Sequence, residues 1–258
     1  MVTDMAAATD MATVILKNKI LNILFVIPAR GGSKGLPKKN TRPIAGKPLI
    51  AWSIEVAKKT ADLIGNCDVI VSTDSLEIAE VAKQYGADVP FMRPNELAND
   101  TASSADVISH ALNFMEQSGK NYAYIALIEP TSPQRDEHDV MGAYNLLKDT
   151  EGAESIVGVS KTEGCHPLFL TKLNRKFLEP YENKTYKVYR RQEIDEVYFF
   201  EGSMYISKVG SFKKRKSFYH EKTLGYEMPK WKSFEIDDAT DFIIIEQLLN
   251  ARKEGVLK

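Results

Sequence analysis

A short apolar run at residues 23–27, Ile-Leu-Phe-Val-Ile, restricts the possible folds of this chain more than any other feature. The run is too short for a helix and has no polar residue to face solvent, so it predicts a β-strand buried on both faces. Strands of this kind are typical of parallel sheets covered by helices on each side. The run therefore predicts an α/β protein.

Strand-like and helix-like patterns alternate along most of the chain. Further strands are predicted at residues 68–74, 88–91, 122–128, 155–159 and 203–206. Helices are predicted from residues 46–48 onward and at 76–85, 105–117, 139–148 and 241–251. Asp74 and Glu77 resemble a capping box at the start of the second of these helices. Such alternation gives right-handed βαβ units, and hence a mostly parallel, Rossmann-like sheet with helices on both faces.

The length and composition set limits on the class of protein. A chain of 258 residues can form one sizeable α/β core with a small appended lobe. The 34 Lys and Arg residues nearly balance the 35 Asp and Glu residues, which counts against a general nucleic-acid binder. Apolar stretches such as residues 242–245 are far shorter than the ~20 residues of a membrane span. Two cysteines form neither a disulfide framework nor a metal cluster, so we expect a reducing cytoplasm.

The chain is predicted to have three parts. Residues 1–20 lack the basic start of a signal peptide, and we expect a poorly ordered N-terminal extension there. Residues 21–160 and 201–258 form the α/β core. In residues 161–200, aromatic and β-branched residues alternate with charges, which indicates a β-rich insertion. Its apolar face is too small to bury itself, so we expect it to form a dimer contact.

A glycine-rich basic loop follows the first strand. Residues 28–40 contain three glycines, one arginine and three lysines. Glycine lets backbone N–H groups approach an anion closely, and the cations add charge, so the loop predicts a polyphosphate site. The spacing matches neither a Walker A loop nor a dinucleotide fingerprint. A second basic run, residues 213–216, is predicted to be a solvated surface loop.

Three predicted strands end in polar residues, at 30–40, 72–74 and 129–135. The carboxyl ends of parallel strands meet at one edge of a sheet, and ligands bind at that edge. We therefore expect these three segments to form one site.

Two acids near the C-terminus, Glu235 and Asp237, are two residues apart at the end of a predicted strand. Residues at this spacing point to the same face, so their carboxylates can share a divalent ion. Mg²⁺ suits such a pair, because it completes its shell with phosphate oxygens and water. The alternative is that these acids cap the closing helix, although Asp238 or Thr240 could do so instead.

The glycine-rich loop, Ala-Arg-Gly-Gly-Ser-Lys-Gly-Leu-Pro-Lys-Lys-Asn at residues 29–40, resembles the nucleotide loop of the CMP-sialic acid synthetases, or acylneuraminate cytidylyltransferases. CMP-Kdo synthetases are more distant relatives. The resemblance covers residues 21–249 through five ordered motifs. It implies a homodimeric nucleotidyltransferase that uses Mg²⁺, converting CTP and a nine-carbon 2-keto sugar acid to the CMP-sugar and pyrophosphate.

The resemblance also implies roles for individual residues. Nucleotide binding falls to Arg30, Gly31, Ser33, Lys34, Lys39, Asn40, Arg93 and Ser104. Sugar binding falls to Glu129, Thr131, Ser132 and Arg191. Catalysis is assigned to Arg30, Lys39 and Asp237, and the metal to Asp237 and Glu235.

Some of these assignments have alternatives. Asp100 and Ser104 could instead cap the next helix. The family usually has Asp-x-Asp where this chain has Glu235, and many members have Gln where it has Glu129. An ionised carboxylate only accepts hydrogen bonds whereas an amide also donates them, so Glu129 affects which sugar fits.

Several functions remain open at this stage. The sugar could be sialic, legionaminic or pseudaminic acid, or a Kdo-type acid. A kinase or NTPase would release a nucleoside diphosphate, but the loop lacks the Walker A spacing. A non-catalytic nucleotide sensor would need the loop but not the acidic pair or Arg191.

Overall fold

The computed structural model describes residues 20–162, 164–181, 190, 192 and 194–257, and all structural statements below concern these residues. The N-terminal extension predicted for residues 1–20 therefore lies outside the described residues, apart from Ile20. So does Arg191, one of the predicted sugar-binding residues.

Strands and helices alternate as predicted. The strands are β1 (Ile20–Pro28), β2 (Pro43–Ile44), β3 (Lys47–Pro48), β4 (Asp68–Ser72), β5 (Asn121–Ile128), β6 (Ser155–Lys161), β7 (Thr171–Asn174), β8 (Phe177–Pro180), β9 (Tyr198–Lys208) and β10 (Thr223–Glu227). The helices are α1 (Leu49–Ile64), α2 (Leu76–Gln84), α3 (Ser104–Gln117), α4 (Glu137–Asp149), α5 (Val209–Arg215) and α6 (Ala239–Lys253).

The central sheet has six strands in the order β10-β6-β9-β5-β1-β4. Strand β1 pairs in parallel with β4 and β5, and β10 pairs in parallel with β6. Strand β9 runs antiparallel to both of its neighbours, β5 and β6. The other five strands therefore share one direction, which confirms the mostly parallel sheet.

Strand β1 is buried on both faces, as its sequence predicts. Ile23, Phe25 and Ile27 pack in one cluster with residues of α1, α2 and α4. Leu24 and Val26 face the other way and pack with residues of α3 and α5. All five side chains are fully buried, and each contributes about 1.5–3 kcal/mol by leaving water. Helices therefore cover both faces of the sheet.

A third apolar cluster connects the glycine-rich loop to the acidic segment near the C-terminus. Leu36 of the loop and Ile236 of the segment pack with Phe242 and Ile245 of α6. All four side chains are buried. The cluster thus brings together two segments that the sequence predicts to be functional.

Two secondary-structure predictions away from the site were wrong. Residues 88–91 form no strand of their own. Asp88 makes a single bridge to Ile70, and Met92, just after this stretch, makes one to Thr73. The basic run at 213–216 is largely the end of helix α5 and not a loop. Val209 and Phe212, one helical turn apart, are buried and hold α5 against the sheet.

The predicted insertion contains an antiparallel hairpin, β7–β8. Leu173 and Phe177 on this hairpin are 71% and 77% exposed, so its apolar side chains are not buried within the chain. Contact with a second subunit stays a prediction. Among the described helices, none has both the length and the apolar character to cross a bilayer.

A buried ionic network connects the start of α4 to the segment before α6. The Lys232 Nζ atom lies 2.7 Å from a carboxylate oxygen of Asp136 and 2.7 Å from one of Asp139. Arg252 also binds Asp136, at 2.5 Å. The lysine and both acids are almost fully buried. The network therefore fixes the C-terminal segment to the loop that follows β5.

Replacing Lys232 by methionine should destabilise the fold strongly, because two buried carboxylates lose a cation. We expect the free energy of unfolding to fall by about 3 kcal/mol or more in urea titrations. Lys59→Met is the matched control, since Lys59 pairs with Glu137 at 3.4 Å while 60% exposed. Removing this surface pair should cost less than about 1 kcal/mol. Equal losses in the two variants would contradict the role given to the network.

Candidate active site

The three polar segments meet at the carboxyl edge of the sheet, as predicted, because β4, β1 and β5 are adjacent and parallel. A cavity of about 260 Å³ opens there. Its lining consists of Arg30, Ser33, Lys34, Gly35, Lys39, Asn40, Glu129, Thr131 and Asp237. Apart from Gly35, every one of these is a predicted site residue. The structure thus brings most of the predicted nucleotide loop together with residues assigned to the sugar and the metal.

Two cations of the loop contact a single carboxylate. The Arg30 Nη1 atom lies 2.8 Å from Asp100 Oδ1, and Lys34 contacts the other oxygen of Asp100. Hydrogen bonds from Lys34 and Arg30 hold the pKa of Asp100 below its usual value. The two cations are therefore oriented toward a common anion.

Asp100 and Ser104 do not cap helix α3, contrary to one alternative. The cap is Ser103, whose hydroxyl accepts a hydrogen bond from the Asp106 N–H at 3.1 Å. Ser103 satisfies the helix end because it immediately precedes the first helical residue. Asp100 is thus available to the cations of the loop.

Lys39 lies between the glycine-rich loop and the acidic segment. Its Nζ atom donates a hydrogen bond to the Ile236 carbonyl at 2.7 Å and lies 3.8 Å from Asp237 Oδ1. Burial lowers the pKa of Lys39, and its side chain is only 15% exposed. A cation held in this way is pre-oriented at the cavity wall.

Gly35 makes the closest approach between the two segments. A Cβ atom at this position would lie 2.2 Å from the Asp237 carbonyl oxygen. Such a separation is far below van der Waals contact, so only glycine fits without movement of the backbone. The glycine thus permits direct contact between the glycine-rich loop and Asp237.

Asp74 fixes the start of the loop instead of capping a helix. The predicted capping box is wrong, because Ser75 is the N-cap of α2 and its hydroxyl accepts from the Ile78 N–H. The Asp74 carboxylate instead accepts a hydrogen bond from the Gly31 N–H at 2.9 Å. A backbone group of the loop is thereby held by an acid from the end of the neighbouring strand.

The acidic pair does not cap the closing helix. Asp238 is the N-cap of α6, and its carboxylate accepts from the N–H groups of Thr240 and Asp241 at 2.7 and 3.1 Å. Glu235 and Asp237 lie in a segment that belongs to no strand, and Asp237 is in a bend, which corrects the predicted strand end. Asp237 has 83% of its side chain exposed and is free of any capping duty.

The Glu235 side chain packs tightly against Gly202 of β9. A Cβ atom at Gly202 would lie 1.6 Å from Glu235 Oε1, so the carboxylate occupies the space that a side chain would need. Burial and the neighbouring Asp237 raise the pKa of Glu235 to about 7. The two carboxylates repel each other, and a cation between them would relieve that repulsion.

Glu129 adds a third carboxyl group at the same edge. Burial and the proximity of Glu235 raise the pKa of Glu129 to about 7, although Arg135, Arg93 and Lys39 act in the opposite direction. Both acidic and basic side chains therefore line the cavity. This arrangement suits a substrate that carries both anionic groups and hydroxyl donors.

The carboxylates fit a magnesium ion with few protein ligands. In the part of the chain that the structure describes, no group of three or more His, Cys, Asp and Glu side chains is arranged to hold a metal. Mg²⁺ commonly binds to one or two carboxylates and completes its shell with phosphate oxygens and water. Asp237 lines the cavity and Glu235 lies two residues before it, so their joint binding of Mg²⁺ stays a prediction.

Six predicted site residues lie away from the cavity lining or outside the described residues: Gly31, Arg93, Ser104, Ser132, Arg191 and Glu235. Arg93 is buried, and its Nε atom donates to Ser72 Oγ at 3.0 Å. Ser104 is exposed at the start of α3, while Ser132 is fully buried. Substrate contacts of Arg93, Ser104 and Ser132 stay predictions, as does the role of Arg191.

The sequence placed Asp74 and Arg135 in segments expected at the site but assigned neither of them a contact there, and it gave no indication of Glu201. Asp74 follows a strand end, which was a usable signal, but its spacing to Glu77 favoured a cap. Arg135 and Glu201 are buried charged residues, each about 1% exposed. Their proximity depends on how β9 and the loop after β5 meet, and no local pattern in the sequence reports that.

Comparison with known proteins agrees with this geometry. A family model described as cytidylyltransferase matches residues 24–254. The chain is 36% identical over 234 residues to an N-acylneuraminate cytidylyltransferase of Escherichia coli O18:K1:H7, covering 90% of this chain and 54% of that protein. It therefore spans about half the length of that relative.

Two further proteins are similar over nearly their whole length. A CMP-N,N'-diacetyllegionaminic acid synthase of Legionella pneumophila is 34% identical over 242 residues, which cover 92% of this chain and all of that protein. A solved structure of CMP:2-keto-3-deoxy-manno-octonic acid synthetase complexed with CTP superposes with a TM-score of 0.61 at 16% identity, covering 90% of this chain and 99% of that one. At this low identity, the similarity to the solved structure shows only a shared fold. The chain belongs to the cytidylyltransferase family, which confirms the family predicted from the glycine-rich loop.

Proposed function

We propose that this protein transfers CMP from CTP to a nine-carbon 2-keto sugar acid and releases pyrophosphate. The observation that carries the proposal is the cavity in which Arg30, Lys34 and Lys39 converge beside Glu129 and Asp237. Three cations suit a triphosphate, and the carboxylates suit a metal and a polyhydroxylated sugar. The names of the relatives, which cover sialic and legionaminic acids, support the same reaction class.

In the proposed reaction the anomeric hydroxyl of the sugar attacks the α-phosphorus of CTP. A P–O bond forms to the sugar, the bond to pyrophosphate breaks, and the proton of the hydroxyl passes to water. Negative charge accumulates on the leaving pyrophosphate, where Arg30, Lys34 and Lys39 would stabilise it. The protein would act mainly by holding the two substrates in line.

Asp237, together with Glu235, would hold Mg²⁺ in this proposal. When bound, the ion would neutralise charge on phosphate oxygens. Asp237 remains exposed to the cavity and is not needed as a helix cap, so its carboxylate is available for this role.

Glu129 and Thr131 would contact the sugar. Both line the cavity and precede the buried part of the loop after β5. An ionised Glu129 accepts hydrogen bonds from sugar hydroxyl or amide N–H groups and repels a carboxylate. The side chain would therefore take part in selecting among N-acetylneuraminic, legionaminic and pseudaminic acids, with an eight-carbon Kdo-type acid as the alternative.

A product assay tests the proposed function. The protein is incubated with CTP, Mg²⁺ and each sugar acid in turn, and pyrophosphate and nucleotide products are quantified. Pyrophosphate and a CMP-sugar, formed only with a matching acid, are the expected result. Release of CDP would indicate a kinase or NTPase, and CTP binding without turnover would indicate a sensor. Either of these results would overturn the proposal.

We also propose a homodimer, in which the β7–β8 hairpin and the start of β9 contact the partner. Phe177 on the hairpin and Phe199 and Phe200 on β9 are 77%, 43% and 59% exposed. Apolar surface of this extent is typical of an interface. A cytoplasmic location fits the two free cysteines, Cys67 and Cys165.

Light scattering at micromolar concentration should give twice the mass of the chain. Phe177→Asp should shift the protein toward the monomer, because a buried charge at an interface is costly. Leu76→Asp is the matched control, since Leu76 is 72% exposed on helix α2. A monomeric wild-type protein would contradict the proposed dimer.

A further inference from the structure

We propose that Arg135 and Ser53 are positioning residues that hold the loop at residues 129–134 in the shape required for sugar binding. This inference rests on the proposed function, because the loop includes Glu129 and Thr131 of the cavity. Neither Arg135 nor Ser53 lines the cavity itself. Both are buried and contact the backbone of the loop.

Hydrogen bonds connect Arg135 to the loop directly at Ser132 and, through Ser53, at Glu129. The Arg135 Nη1 atom donates to the Ser132 carbonyl at 2.5 Å, and Nη2 donates to Ser53 Oγ at 2.5 Å. Ser53, on helix α1, in turn donates to the Glu129 carbonyl at 3.1 Å. The guanidinium group thus holds the backbone of the loop at two points three residues apart, directly at Ser132 and through Ser53 at Glu129.

The guanidinium is balanced by acids from three different elements. Glu201 of β9, Glu129 at the end of β5, and Asp139 in the first turn of α4 all act to keep Arg135 charged. Burial lowers the pKa of Arg135 to about 10, so the side chain remains a cation at neutral pH. Arg135 therefore joins the sheet, the loop and α4 around one buried charge.

Several buried polar atoms around Arg135 have no hydrogen-bond partner among the described residues. These atoms are Ser132 Oγ, Gln134 Oε1, Arg135 Nε and Glu201 Oε2. Unpaired buried polar groups reduce stability, and native folds contain few of them.

The glycine-rich loop is held by different contacts. Asp74 binds the N–H of Gly31, and Asp100 binds Arg30 and Lys34. Neither Arg135 nor Ser53 contacts that loop, and the Ile236 N–H still binds the Thr131 carbonyl at 2.9 Å when their link is removed, so the larger effect should be on sugar binding. Small displacements suffice, because a shift of ~1 Å in a positioned group can reduce a rate about 10²-fold.

Ser53→Ala tests the proposal, because it removes the link between Arg135 and Glu129 without removing a charge. We expect the KM for the sugar acid to rise by about 10-fold or more while the KM for CTP stays within about twofold. Thr60→Val is the matched control. Thr60 lies on the same helix, is equally buried, and donates only to the Val56 carbonyl at 2.9 Å. This control should leave both KM values unchanged.

Arg135→Lys is a second variant that keeps the charge but cannot reproduce the two-point contact of a guanidinium. It should show the same selective rise in the KM for the sugar acid. Equal changes in both KM values, or none in either variant, would overturn the proposal. Hydrogen exchange separates this inference from the proposed function. In Ser53→Ala, faster exchange of the amides of Glu129, Thr131, Ser132 and Gln134 is expected whichever reaction the protein catalyses, and unchanged exchange would overturn the positioning role.

Discussion

Replacing Lys39 by alanine is expected to lower the turnover number about 10²–10³-fold, the usual loss for one group that stabilises transition-state charge. Lys39 is held at the cavity wall by the Ile236 carbonyl and is largely buried, so its charge is fixed in position beside the cavity. Arg30→Ala should cause a loss of the same size, since Arg30 lines the same cavity. Steady-state pyrophosphate release with saturating CTP measures both effects.

Lys38→Ala provides the matched control for Lys39. Lys38 is the adjacent lysine in the sequence, but its side chain is 75% exposed and pairs with Glu77 at 3.0 Å, outside the cavity lining. Its removal should change turnover less than about twofold, because a surface ion pair contributes little. Near-normal turnover in both Lys39→Ala and Arg30→Ala would show that the loop binds something other than the reacting triphosphate.

Asp237→Asn is expected to reduce activity by about 10²-fold or more while the fold survives, because Mg²⁺ would lose a carboxylate ligand and with it several kcal/mol of charge stabilisation. Raising the Mg²⁺ concentration should restore part of the activity. Thermal unfolding gives an independent measurement. Mg²⁺ should raise the melting temperature of the wild type and have a smaller effect on the variant.

Asp238→Asn is the control for this substitution. Asp238 caps α6, and asparagine is an equally good N-cap, so both activity and stability should be preserved. The two variants change adjacent residues in the same chemical way and differ only in the role that the structure gives each residue. A normal rate for Asp237→Asn at ordinary Mg²⁺ would remove the metal from the proposed mechanism.

Much of the fold could be predicted because burial produces periodic patterns in the sequence. The apolar run at 23–27 is buried on both faces, and the polar ends of β1, β4 and β5 meet as expected. The choice among neighbouring polar residues could not be predicted in the same way. Asp74 and Ser75 are both good N-cap residues, and only the position of Gly31 decides between them.

The support beneath the site was also beyond sequence reasoning. Arg135 stands 82 residues from Ser53 in the chain, yet the two side chains share a hydrogen bond. Contacts of this kind depend on how separate βαβ units pack, which no local spacing reports. Glu201, likewise buried, looks like an ordinary surface acid in the sequence.

The contact between Gly35 and the carbonyl of Asp237 has a thermodynamic consequence. This contact and the hydrogen bond from Lys39 to Ile236 join the glycine-rich loop to the acidic segment. A ligand that orders one of the two segments therefore also orders the other. Nucleotide and metal would then bind with positive cooperativity. Linkage requires the effect to be reciprocal, so CTP would strengthen the affinity for Mg²⁺ by the same factor by which Mg²⁺ strengthens the affinity for CTP.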